Sequence, residues 1–231
     1  MLNGLSLFSG IGGLDVALSN WVRPIAYCEI DPYCQGVLLS RMANGDITNA
    51  PIWDNVTTFD GTNCNSIVDI IYGGFPCQGI SVAGLGKGLA DERSGLFFEI
   101  MRLAKEIKPK FLFLENVPAI TSRGGWECVH AISALGYDCR WCVISAAEVG
   151  ALHKRERFFL LAHSKSERLE RENRKEQTQP MLARSGFWEA ESPVDRVADG
   201  VSNRMDKLKA LGNAVVPSQA REAFRILSGL A

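Results

Sequence analysis

Short apolar runs and helix-spaced apolar positions alternate along the chain. Leu5-Ser6-Leu7-Phe8 reads as a buried strand, Ser9-Gly10-Ile11-Gly12-Gly13 as a glycine loop and Leu14 to Leu18 as the start of a helix. A second unit follows: strand Ile25 to Cys28, then a helix from Pro32 to Met42 with Asp31 as its N-cap. Asn, Gly, Thr and Asp punctuate Ala43 to Ser66, which leaves loops around a short strand near Ile52 to Thr58. Val68 to Tyr72 and Phe111 to Leu114 are buried-strand runs, separated by a helix from Leu96 to Lys108 that Pro109 stops. A helix near Trp126 to Leu135 precedes strands at Asp138 to Ile144 and Phe158 to Ala162. The last helix, Ser218 to Leu227, is expected to return beside the first strand. Repeated strand, loop and helix units predict an α/β fold with a doubly wound, mostly parallel sheet.

In such a sheet the reacting groups lie just past the carboxyl ends of the strands. Cys77 is placed there, in the glycine-flanked loop Gly73-Gly74-Phe75-Pro76-Cys77-Gln78-Gly79-Ile80-Ser81. An arbitrary cysteine is most often simply buried, but a thiolate in this position suits attack on an electron-poor ring carbon. Glu115 ends the Phe111 run on the same edge, as an acid/base of raised pKa or a salt-bridged edge residue. Glu29 lies 19 residues beyond Gly10, an offset that suits acceptance of ribose hydroxyls. Asp15 stands where a third glycine would complete a nicotinamide fingerprint, so that match is partial. Gly84-Leu85-Gly86-Lys87-Gly88 reads as a mobile lid or a plain surface loop, and Lys154-Arg155-Glu156-Arg157 opens a strand.

Composition excludes several classes. The 231 residues, 46% hydrophobic and 22% charged, suit one large α/β domain with a small appendage. No apolar run reaches membrane-spanning length and the amino terminus lacks a basic signal-peptide start, so a cytoplasmic protein is expected. Seven scattered cysteines predict free thiols, and Cys139-Arg140-Trp141-Cys142 with three histidines offers no zinc spacing, so no metal is expected. The net charge of -1 hides a split: 4 Lys+Arg against 10 Asp+Glu up to residue 100, and 21 against 16 beyond it. A polyanion partner should therefore meet the second half.

Together, Phe8-Ser9-Gly10-Ile11-Gly12-Gly13, Glu29, Pro76-Cys77-Gln78, Glu115-Asn116-Val117, Lys154-Arg155-Glu156-Arg157 and Leu211-Gly212-Asn213-Ala214-Val215-Val216-Pro217 resemble the ordered motifs of the DNA cytosine-5 methyltransferases. The resemblance covers almost the whole chain and is greatest to the compact phage and prophage branch, in a bacterial or phage-infected cell. It implies the Rossmann-like fold of S-adenosylmethionine-dependent methyltransferases, S-adenosylhomocysteine as product, and a cytosine flipped out of double-stranded DNA. Cys77 would add to C6, making C5 able to take a methyl from a sulfonium, and Glu115, protonated in a dry pocket, would donate towards N3. Gln78 joins the catalytic set by the same match. Arg155 and Arg157 would fix the base carbonyl, the nucleophile loop or a phosphate. The cofactor pocket would use Phe8, Gly10, Gly12, Gly13, Glu29, Ile30, Pro76, Leu96, Asn213 and Val215, with either Asp54 or Asn55 on the adenine amino group.

The resemblance divides the chain into a catalytic and cofactor domain at 1–163, a short target-recognition region at 164–193 and a returning segment at 194–231. Nucleic-acid contacts are expected from Ser81, Lys87, Lys154, Arg168, Arg171 and Trp188. Residues 154–175 carry 8 Lys+Arg against 4 Asp+Glu beside the expected catalytic face. So small a region predicts a recognition sequence of roughly two to four base pairs, since each specified pair needs its own bonded side chain. A monomer is expected. The competing readings are a cytosine-5 RNA methyltransferase with the same motifs and a non-catalytic nucleic-acid-binding relic.

Overall fold

Alternation of apolar runs with glycine-led helix starts produces seven strands among the described residues. They are β1 (Leu2–Leu7), β2 (Val22–Cys28), β3 (Ile52–Trp53), β4 (Ile70–Gly74), β5 (Phe111–Asn116), β6 (Tyr137–Ser145) and β7 (Glu156–Ser164). The computed structural model describes residues 1–75, 95–122, 125–164 and 204–229. All seven strands join one sheet in the order β3-β2-β1-β4-β5-β7-β6. β3 through β5 are parallel, whereas β7 runs antiparallel between β5 and β6. Strand order reverses between β1 and β4, the switch point where an open α/β sheet leaves a crevice past its carboxyl edge.

Among the described residues six helices accompany the sheet: α1 (Gly13–Leu18), α2 (Pro32–Asn44), α3 (Gly95–Ile107), α4 (Gly125–Ala134), α5 (Arg204–Asn213) and α6 (Pro217–Ser228). α3 and α4 bury Phe97, Ile100, Leu103, Cys128 and Ile132 against Leu5, Leu7, Ile71, Leu112 and Leu160 on one face. On the other, Leu14, Leu18, Ala223 and Phe224 of α1 and α6 cover Ile70, Phe113 and Phe159. Asp31 caps α2 as expected, its carboxylate accepting from the Tyr33 N–H at 2.9 Å.

Two expectations are corrected. The run 52–58 is strand only at Ile52–Trp53, because the Asn55 side chain accepts from the Thr57 N–H at 3.0 Å and starts a single 3-10 turn. The last helix lies not beside the first strand but against α1, β6 and β7, where Arg221 donates to the Ala17 and Val16 carbonyls and Phe224 meets Phe113 edge-on. An addition is α5, a helix the apolar pattern did not announce; it is polar on average and is held at its side by an ion pair of Lys209 with Asp31 at 3.0 Å.

Candidate functional site

The carboxyl edge at the switch point is built first from the turn after β1. Phe8, Gly10 and Gly12 all take positive φ, at 52°, 55° and 81°, which reverses the chain within a few residues. Glu29 leaves β2 beside this turn and is buried, yet its partners are backbone donors: the Gly10 N–H at 2.7 Å and the Asp31 N–H at 2.8 Å. Its own carbonyl accepts from Gln35 at 2.6 Å, which fixes the strand end. Next to it Ile30 is 71% exposed, an apolar side chain standing in solvent at the rim. Asp54 is exposed, while the Asn55 oxygen is already taken by the Thr57 N–H and hydroxyl. Leu96 and Phe8 are both partly buried against the core under α3.

The chain's far end completes this corner. A Cβ placed on Gly13 would lie 2.9 Å from Val215 Cγ1 and 3.1 Å from the Val215 carbonyl oxygen, so only glycine lets the 211–216 stretch approach. Asn213 closes α5 just before that contact.

A second cluster forms where β4, β5 and β7 end. Glu115 and Arg157 face each other at 2.8 Å across the β5–β7 pair, and both are largely buried. Desolvation pushes the Glu115 carboxyl above its ordinary pKa, with the Arg157 and Arg155 charges opposing that shift. Gly74 sits directly alongside, because a Cβ there would come within 2.7 Å of Glu115 Oε2. Asn116 is buried and donates to the Phe75 carbonyl at 2.8 Å, tying β5 to the chain that leads into Pro76 and Cys77. Arg155 does not face this cluster through Nη2; that nitrogen donates to the Gly212 and Ala214 carbonyls, each at 2.7 Å. Lys154 is exposed on the same edge.

Pro76, Cys77, Gln78, Ser81, Lys87 and the Gly84 to Gly88 run lie outside the described residues, as do Arg168, Arg171 and Trp188. Of the basic stretch 154–175, the described residues end at Ser164. Residues 154–157 are at the Glu115 edge, but β7 runs away from it, so Ser164 pairs with Tyr137 and donates to the Lys110 carbonyl at the opposite end of the sheet. Three residues contribute that were given no role from the sequence: Asn116, quoted only within its motif, Gln219 and Tyr72. Gln219 is fully buried and donates to the Arg155 carbonyl at 2.6 Å. Tyr72 donates to Asp15 Oδ1 at 2.7 Å, and burial raises the Asp15 pKa to about 6 while the Tyr72 bond opposes it. An internal polar pair has no periodic signature, so the apolar pattern gave no sign of it. Among the described residues no cluster could hold a metal ion, and no helix is long and apolar enough to cross a membrane.

Comparison with known proteins places these features in a wider setting. The sequence model of a family described as C-5 cytosine-specific DNA methylase matches residues 2–223. The Type II methyltransferase M.CviJI of Paramecium bursaria Chlorella virus IL3A is 32% identical over 95% of this chain and 58% of its own length. M.HhaI of Haemophilus parahaemolyticus is 33% identical over 69% of this chain and 48% of its own. The chain thus spans about half the length of these curated relatives. Among solved structures, a candidate DNA modification methyltransferase encoded within an Escherichia coli prophage superposes with a TM-score of 0.58 at 27% identity, over 72% of this chain and 47% of that one. Dnmt2 of S. pombe shares the fold at 21% identity and a TM-score of 0.58, over 71% of this chain and 51% of its own.

Proposed function

Because the chain belongs to the C-5 cytosine-specific DNA methylase family, we propose that it transfers a methyl group from S-adenosylmethionine to C5 of a cytosine flipped out of double-stranded DNA. The carrying observation is the buried Glu115–Arg157 pair beside the Gly74–Phe75 approach to Cys77, with the Gly10–Glu29 corner across the same switch point. The corner fits the cofactor: Glu29 keeps lone pairs for ribose hydroxyls, exposed Ile30 offers an adenine face, and the space around Gly10 is open. Asp54, rather than Asn55, is the side chain left to accept from the adenine amino group, because Asn55 is spent on Thr57. When bound, S-adenosylmethionine supplies the methyl group on an electrophilic sulfonium.

This chain's residues do the rest. The Cys77 thiolate adds to C6 and negative charge develops towards N3. Burial pushes the Glu115 carboxyl above its ordinary pKa, and in its protonated form it donates to N3 and stabilises that charge. Arg157 holds the Glu115 carboxyl in place and presents its remaining N–H groups to the base carbonyl. After methyl transfer, loss of the C5 proton and of the Cys77 thiolate frees the product.

Duplex DNA carrying 5-fluorocytosine tests the reading, since fluorine cannot leave as a proton does and elimination stalls. With S-adenosylmethionine present, a covalent protein–DNA adduct is expected on the duplex and not on transfer RNA. An adduct that survives Cys77→Ser, or one formed only on transfer RNA, would overturn it.

A further inference from the structure

We propose that Arg155 is a positioning residue for the cofactor pocket, fastening the Gly212–Val215 stretch to the strand that carries the base-side pair. The inference rests on the cofactor reading above. Arg155 and Arg157 flank Glu156, the first residue of β7, yet their guanidinium groups are bound to different things. Arg157 meets Glu115, whereas Arg155 Nη2 bridges the carbonyls on either side of Asn213, 2.7 Å from each. These are carbonyls at and just past the end of α5, where helical partners run out, so a cation there satisfies acceptors and complements the helix dipole.

The backbone of Arg155 is held as well. Its carbonyl accepts from Gln219 Nε2 at 2.6 Å, and the same amide nitrogen donates to the Ile144 carbonyl on β6. Both ends of Arg155 are therefore attached to the segment 212–219. That segment touches the cofactor turn at its other side, where Val215 closes on Gly13. A continuous chain of contacts thus runs from Gly13 through Val215 and Gly212 to Arg155, and two residues further along β7 to the Glu115 partner. Arg155 sets where Asn213 and Val215 stand, and through them how well the cofactor is held; Arg157 acts on the base.

The test measures S-adenosylhomocysteine binding by calorimetry for wild type, Arg155→Ala, Arg155→Lys and Arg157→Ala. Amide exchange of residues 211–216 is followed without cofactor. Arg155→Ala is expected to weaken binding about tenfold or more, the equivalent of one charge-assisted hydrogen bond. Its kcat at saturating cofactor should fall far less than its cofactor KM rises. Arg155→Lys, which keeps the charge but not the planar fork, should bind with intermediate affinity and exchange the 211–216 amides faster than wild type. Arg157→Ala should show the reverse split, with binding nearly unchanged and kcat reduced. Should Arg155→Ala fail to fold, the Arg155→Lys affinity and exchange data decide. Unchanged binding in the Arg155 variants, or unchanged amide exchange in Arg155→Lys, overturns the inference alone. A wild type that binds no S-adenosylhomocysteine overturns the cofactor reading and this inference with it.

Discussion

Glu29 and Glu115 are the same residue type at the carboxyl ends of two strands of one sheet, and their surroundings differ. Glu29 ends β2 and is held by two backbone N–H groups, from Gly10 and Asp31. Donors of that kind fix an acceptor in place beside a turn made tight by positive φ angles. Glu115 stands at the end of β5, where its partner among the described residues is the Arg157 guanidinium, and desolvation raises its pKa. The first arrangement suits an oxygen that must stay an acceptor; the second suits one that can carry a proton. What differs is not the residue but the density of donors that the neighbouring strand and turn bring to it.

The largest expected effect breaks the Glu115 side. Glu115→Gln should lower methyl transfer by roughly 10²–10⁴-fold, the usual range for a lost proton donor, while leaving S-adenosylhomocysteine affinity nearly intact. A collapse of cofactor binding would place Glu115 in the other site. The raised pKa also sets the sign of the pH response: the protonated donor persists above the ordinary carboxylate range, and kcat should fall as pH climbs through the Glu115 pKa. Glu115→Gln should lack that alkaline limb.

An intermediate effect is expected from the Glu29 side. Glu29→Ala leaves the Gly10 and Asp31 N–H groups without their acceptor and removes the ribose partner, so cofactor affinity should fall about tenfold or more. Adduct formation with 5-fluorocytosine at saturating cofactor should persist. Equal loss of both, with an unaltered melting temperature, would deny the division of labour between the two carboxylates.

Asp15 gives the smallest effect and sharpens the comparison, because it is a third buried carboxyl whose hydrogen-bond partner is a neutral hydroxyl. Its pKa is raised to about 6, so the folded state binds more protons than the unfolded chain between about 4 and 6, and its contribution to stability falls as pH rises through that window. Relative to Asp15→Asn, wild type should lose on the order of 1–3 kcal/mol of unfolding free energy between pH 4 and pH 6. Denaturant unfolding of both proteins at the two pH values measures it, and a constant difference would contradict the buried Tyr72–Asp15 arrangement.

Much of this molecule could be read from one dimension. Apolar runs at Leu5, Ile25, Val68 and Phe111 each became a parallel strand, because a strand buried on both faces must be apolar throughout. The glycine turn after β1, the cap at Asp31 and the acidic residues at strand ends were likewise legible, since each is a local requirement of backbone geometry. The α5 helix was not, because it presents no sustained apolar stripe and sits against the rest through Lys209 and the carbonyls that Arg155 binds. Nor could charge density along 154–175 show that β7 carries Ser164 away from Glu115, for strand direction is set by pairing with β5 and β6.

By itself the sequence determined the class of fold and the edge of the sheet on which the candidate site residues gather, since both follow from periodicity and from residues close in the chain. Only the tertiary structure decided that Arg157 pairs with Glu115 while Arg155 binds the Gly212 and Ala214 carbonyls, and that Asn55 is consumed by a turn while Asp54 stands exposed. Neighbouring residues of similar chemistry are told apart by partners tens of residues away, and the distances between those partners exist only once the sheet has closed over its core.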